Sequence, residues 1–180
     1  LVVNLENRGG WRQLLAQPVS RGAVFGSKLL LLLGLNAVAQ LLYVLLLLAV
    51  GVLLGWLRPD LGFQNNTIDL LAMLRMLGHT YLATLGILGV QYAVALAFRG
   101  FVGPLTVGIG SILSALTLLR WEYIDLVHYA APTRVLNLLE GDNQLRVAAA
   151  LAPAEWYSLL WFVLGVLAGY LLLRYRRVTD

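Results

Sequence analysis

The sequence contains no cysteine, which removes disulfide frameworks, thiolate zinc sites and cysteine nucleophiles from consideration. It is also poor in charge. Asp, Glu, Lys and Arg make up 12% of the 180 residues, about half the ~25% share found in soluble domains. There are two histidines and neither a His-Glu-x-x-His nor a paired-glutamate motif, so an intramembrane protease or metalloenzyme has little support. No charged segment followed by a cleavage site stands at the start, so no signal peptide is read. The chain opens at Leu1 without methionine, and the expectation is that its true N-terminus lies upstream.

What fills the chain is apolar: 60% of residues are hydrophobic and the mean hydropathy is +0.80. A water-soluble fold has no way to hide that much apolar surface. Four runs, about 29–57, 78–98, 101–119 and 155–173, approach or exceed the roughly 20 residues that cross a bilayer. The expected fold is an all-α polytopic membrane helix bundle with outer loops at 58–77 and 120–154. Starting the second crossing at Gly78 keeps Arg75 and Asp69 out of hydrocarbon, where an arginine costs roughly 2.5 to 3.5 kcal/mol. The stretch Thr67 to Leu77 is therefore read as an interfacial helix. Pro104, with Gly103, Gly108 and Gly110 around it, predicts a bent or broken third crossing.

The formal charge of +4 flanks apolar runs and forms no patch, which fits a lipid membrane and no nucleic acid. With four crossings, one side holds eight basic residues: Arg8, Arg12, Arg21, Lys28, Arg99, Arg174, Arg176 and Arg177. The other holds five: Arg58, Arg75, Arg120, Arg134 and Arg146. The eight lie in short segments beside membrane ends, so the positive-inside rule puts both termini in the cytoplasm. The outer segment 121–154 contains helix-compatible runs at Thr133 to Leu139 and Leu145 to Leu151, expected as short helices on the outer surface.

The first 28 residues form a cytoplasmic amphipathic segment. Trp11, Leu14 and Leu15 fall on one side of a short helix, and Arg8 and Arg12 lie one turn apart on another. Pro18 ends that helix, and Ser20 is placed to cap the next one. On residues alone, such a helix docks on a soluble partner or lies on lipid. The order Glu6, Gly9-Gly10, Leu14-Leu15, Pro18-Val19-Ser20-Arg21 and Lys28 resembles the coupling segment of type-2 ABC exporter permeases. Gly10 stands where threonine is common in that family. A second stretch, Gln91 to Gly110, is similar to the lantibiotic-immunity and bacitracin-resistance branch, in which a glutamine-bearing helix, a short basic turn and a Gly/Pro-rich helix follow one another.

The resemblance implies that the four runs are the third to sixth helices of a six-helix permease, with an elbow and two helices preceding Leu1. It implies a partner ABC ATPase that docks on Glu6, Gly10, Trp11, Leu14, Leu15, Pro18, Ser20 and Arg21, and a second permease subunit. It implies the cytoplasmic membrane of a prokaryote. It also implies export of a hydrophobic peptide, antibiotic or lipid-like substrate. No cofactor is expected in this chain; ATP and magnesium belong to the ATPase. The nearest approach to a phosphate loop, Gly22-x-x-x-Gly26-Ser27-Lys28, has the wrong spacing and no preceding strand, and its lysine reads as an interface anchor.

Other polar residues are open to two readings. Asn36 and Gln40, one turn apart, and Gln91 serve either as links between helices or as the lining of a substrate path. Gly51-x-x-x-Gly55 and Gly165-x-x-x-Gly169 allow close helix contact and suit a dimer seam. Glu122, Asp125 and His128, at i, i+3 and i+6, would share a helix face and support an outer metal or acid–base site. That is the basis of the intramembrane-enzyme alternative, and a solvated outer face is the blander reading. A channel would need a ring-forming selectivity pattern, and none is visible.

Overall fold

A computed structural model of the chain describes residues 20–58, 60, 70–98, 100–139 and 151–175. The described residues are all-helical: α1 (Arg21–Leu57), α2 (Leu70–Ala97), α3 (Val102–Thr117), a 3₁₀ turn (Ile124–Leu126), α4 (Ala131–Leu139) and α5 (Pro153–Tyr175). Three of these, α1, α2 and α5, are long and apolar enough to cross a membrane. The third crossing read from sequence differs: α3 has 16 residues, about 24 Å of helix. It falls short of the ~30 Å hydrocarbon core.

Local chemistry explains where each helix begins and ends. Ser20 has extended backbone angles and its hydroxyl accepts a hydrogen bond from the Ala23 amide at 3.2 Å, the N-cap expected of a serine there. From that cap α1 runs without interruption through Gly22 to Lys28, so the glycine–lysine stretch is helix and not a phosphate loop. Lys28 itself is buried. At the other end the Arg58 amide bonds the Leu54 carbonyl at 2.8 Å, and Pro59 follows in sequence, where a helix readily stops. The start of α5 has proline at its first position and Glu155 two residues on. The Glu155 carboxylate accepts from the Ala152 amide at 2.6 Å, half of a capping box reinforced by the helix dipole.

Two expectations are corrected. The segment at Arg75 is not a separate interfacial helix: from Leu70 it is continuous with the second crossing. Pro104 does not break α3, because it sits in the first turn, where no intrahelical partner is lost; α3 is one unbroken helix.

Packing is concentrated between α2 and α5. They run parallel, with contacts repeating from the His79–Glu155 end to Leu96 and Leu173. Small residues bring the backbones together. A β-carbon on Gly165 would lie 2.4 Å from the Gly89 carbonyl carbon, and one on Gly89 would lie 2.7 Å from the Phe162 Cα. Gly86 donates its amide to the Ser158 hydroxyl at 2.9 Å, and that hydroxyl donates to the Ala83 carbonyl at 2.8 Å. Gly165 and Gly169 thus make the close helix contact read from their spacing, and their partner is α2 of the same chain. Gly51 has open space around it.

The N-terminal end of α1 joins this pair through a buried cluster of Phe25, Tyr92, Leu96 and Leu173. The Phe25 and Tyr92 rings lie 5.0 Å apart, and the Tyr92 hydroxyl donates to the Phe25 carbonyl at 2.9 Å. At the opposite end, Ala83, Ala131, Val135 and Ala154 bury together, which seats α4 across the N-terminal ends of α2 and α5. A helix was expected from Thr133 to Leu139, and α4 covers it.

Candidate functional site

Three polar stations cross the bundle. The first joins α1 to α2. Thr80 and Thr84 are one turn apart on α2, as Asn36 and Gln40 are on α1, so the antiparallel helices match rung for rung. The Asn36 amide donates to the Thr84 hydroxyl at 3.1 Å, and the Gln40 amide donates to the same oxygen at 3.0 Å. Thr80 in turn donates to the Gln40 carbonyl oxygen at 3.1 Å. Tyr81 donates to the Leu33 carbonyl at 3.3 Å. Each such bond between membrane helices contributes on average about 0.6 kcal/mol, so the group holds α1 at its middle without clamping it.

The second station lies deeper and involves the outer segment. Gln91 donates to the Tyr129 hydroxyl, beside Gly108 of α3, where a β-carbon would meet the Gln91 amide at 2.8 Å. Trp161 donates its indole N–H to the Leu126 carbonyl at 2.8 Å. Gln91 is 12 residues, about 18 Å, below His79, and Trp161 is about 12 Å into α5. Residues 124–130 therefore dip from the outer helix ends into the space between α2, α3 and α5. Ala115, Ile124 and Ala130 bury together there.

That dip separates the expected acid–histidine trio. Glu122 lies in an exposed turn. Asp125 accepts from Arg134 of α4 at 2.8 Å. The His128 ring packs on Trp161, centroids 5.0 Å apart, its Nε2 is buried without a hydrogen-bond partner among the described residues, and burial lowers its pKa. The three do not share a helix, because the chain turns instead of continuing α3. No group of three His, Cys, Asp or Glu able to hold a metal occurs among the described residues.

The third station is the one sequence reading missed. His79 Nδ1 lies 2.7 Å from Glu155 Oε1 across the outer end of the α2–α5 seam, with side chains 18% and 1% exposed. The other Glu155 oxygen takes the Ala152 amide, so the buried carboxylate is satisfied on both sides. Proline followed two residues later by glutamate at the start of a crossing was the available signal. It spoke for a cap and could not name the histidine. Likewise the spacing of Thr80 and Thr84 mirrors that of Asn36 and Gln40, but pairing depends on helix register that one sequence does not display.

Glu6, Gly10, Trp11, Leu14, Leu15 and Pro18 lie outside the described residues. Ser20 and Arg21 are placed by the start of α1. A family model described as "ABC-2 family transporter protein" matches residues 3–116, a stretch that takes in the N-terminal segment and α1 to α3. No curated protein and no solved structure matches the chain.

Proposed function

This chain belongs to the ABC-2 transporter family, and on that premise we propose that it is the permease subunit of an ATP-driven exporter. It is a multi-pass membrane protein that associates with an ABC ATPase. In this reading two permease subunits pair with two ATPases in a prokaryotic cytoplasmic membrane, with both ends of the chain on the cytoplasmic side. ATP and magnesium bind on the ATPase. The residues from Glu6 to Arg21, with Gly10, Trp11, Leu14, Leu15 and Pro18 between them, receive its movement.

The observation that carries this reading is the span of the family match, which includes the coupling stretch together with the first three helices. The geometry supplies a route for the force. The coupling stretch leads directly into Ser20 and α1, whose inner end is fixed at Phe25 and Tyr92 while its middle rests on a few polar bonds. Movement of the coupling segment would swing α1 about Phe25, with α2 and α5 as the frame. Asn36, Gln40 and Gln91 are each bonded within the chain, so among the described residues these three amides are already engaged between parts of the chain. That favours a hydrophobic peptide, antibiotic or lipid-like substrate, moved outward.

The test is affinity purification of the subunit from its own membrane, with mass spectrometry of what accompanies it. An ABC ATPase is expected, and replacing Glu6 or the Pro18–Arg21 stretch is expected to release it. A subunit that is stably inserted yet carries no ATPase would overturn the reading.

A further inference from the structure

The face of α2 that carries the His79–Glu155 pair also borders a groove of about 400 Å³ lined by Arg75, Gly78, His79, Tyr81 and Leu82. Arg75, His79 and Leu82 sit at i, i+4 and i+7, one stripe of the helix. Among the described residues that line the groove, the polar groups can be taken in turn. The Tyr81 hydroxyl is spent on the Leu33 carbonyl, so its ring and Leu82 form apolar walls, and Gly78 adds no side chain. Glu155 is sealed behind His79 and offers the groove no negative charge. What remains with charge is the Arg75 guanidinium. Arg75 is exposed and makes no hydrogen bond or ion pair among the described residues.

Position narrows the ligand. Arg75 stands 22 residues, about 33 Å, from Ala97 at the inner end of α2, so it reaches the outer headgroup level when Ala97 sits at the inner boundary. A cationic rim at Arg75, above apolar walls at that depth, complements a phosphate carried on acyl chains. We propose that this groove binds an anionic phospholipid, with its phosphate on Arg75 and an acyl chain along Tyr81 and Leu82. The site requires that the chain span a membrane; it does not depend on the exporter reading.

The test is native mass spectrometry of the intact complex purified with phosphatidylglycerol and phosphatidylcholine. Phosphatidylglycerol is expected to be retained, and Arg75→Gln to lower its retention about fivefold, the ~1 kcal/mol of one basic residue at an anionic surface. Arg58→Gln is the control, because Arg58 is already paired with Asp60 at 2.9 Å, and it is expected to change nothing. Photoreactive phosphatidylglycerol on the unmodified complex is expected to label Tyr81 or Leu82. Equal retention by Arg75→Gln, equal retention of phosphatidylcholine, displacement of the lipid by excess inorganic phosphate, or labelling confined to α1 would each overturn the site.

Discussion

The α2–α5 pair and α1 are both apolar membrane helices, yet they are held by different physics. Along α2 and α5, glycines let backbone meet backbone, and a buried histidine–carboxylate pair fastens the outer end. Along α1, 37 residues long, most leucines remain exposed and Trp56 is 79% exposed. Lipid is as apolar as leucine, so composition alone creates no drive for α1 to pack. Close approach and polar bonds decide which helix belongs to the frame and which can move. In the proposed mechanism α2 and α5 are the frame and α1 is the lever.

The strongest way to break the comparison is to spoil the frame. Gly165→Leu places a side chain where the neighbour is backbone of α2, so its cost should exceed the ~3 kcal/mol at the upper end of ordinary overpacking. The expected result is loss of the folded peak in size-exclusion chromatography. Next is Glu155→Ala, which leaves His79 and the Ala152 amide without their acceptor. Leaving a buried polar group without its partner costs about 1–3 kcal/mol, to be read as a clear drop in Tm with inserted protein still present. Thr84→Val removes the shared acceptor of Asn36 and Gln40, and at ~0.6 kcal/mol per bond it should lower Tm only slightly. Gly51→Leu, in open space on α1, should stay within about 0.5 kcal/mol. A Gly51 variant as damaging as the Gly165 variant would dissolve the distinction.

The sequence made the class of fold legible, because the length and apolarity of runs such as Leu29 to Leu57 allow nothing else. Ser20 was readable as a cap for the same reason: its chemistry acts within four residues. What stayed hidden depends on distance along the chain. His79 and Glu155 are 76 residues apart, and nothing in one sequence joins them. The Gly165-x-x-x-Gly169 pattern announced a close contact but not with which helix, and the partner is α2 of the same chain. The outer trio misled because a helical spacing was assumed past Thr117, where α3 ends and residues 124–130 drop into the bundle. Arg75 misled in the other direction, since a charge that argued for a helix boundary is carried inside one continuous helix.

The lever can be tested directly, because the chain has no cysteine of its own and introduced pairs report without background. In the complex with its ATPase, reconstituted in lipid, Ala93→Cys with Gly169→Cys would span the frame, and Asn36→Cys with Thr84→Cys would span the α1–α2 contact. The account predicts that the frame pair cross-links equally with and without ATP, while the α1–α2 pair loses cross-linking when ATP is bound. Cross-linking of both pairs unchanged by ATP, or loss confined to the frame pair, would contradict it.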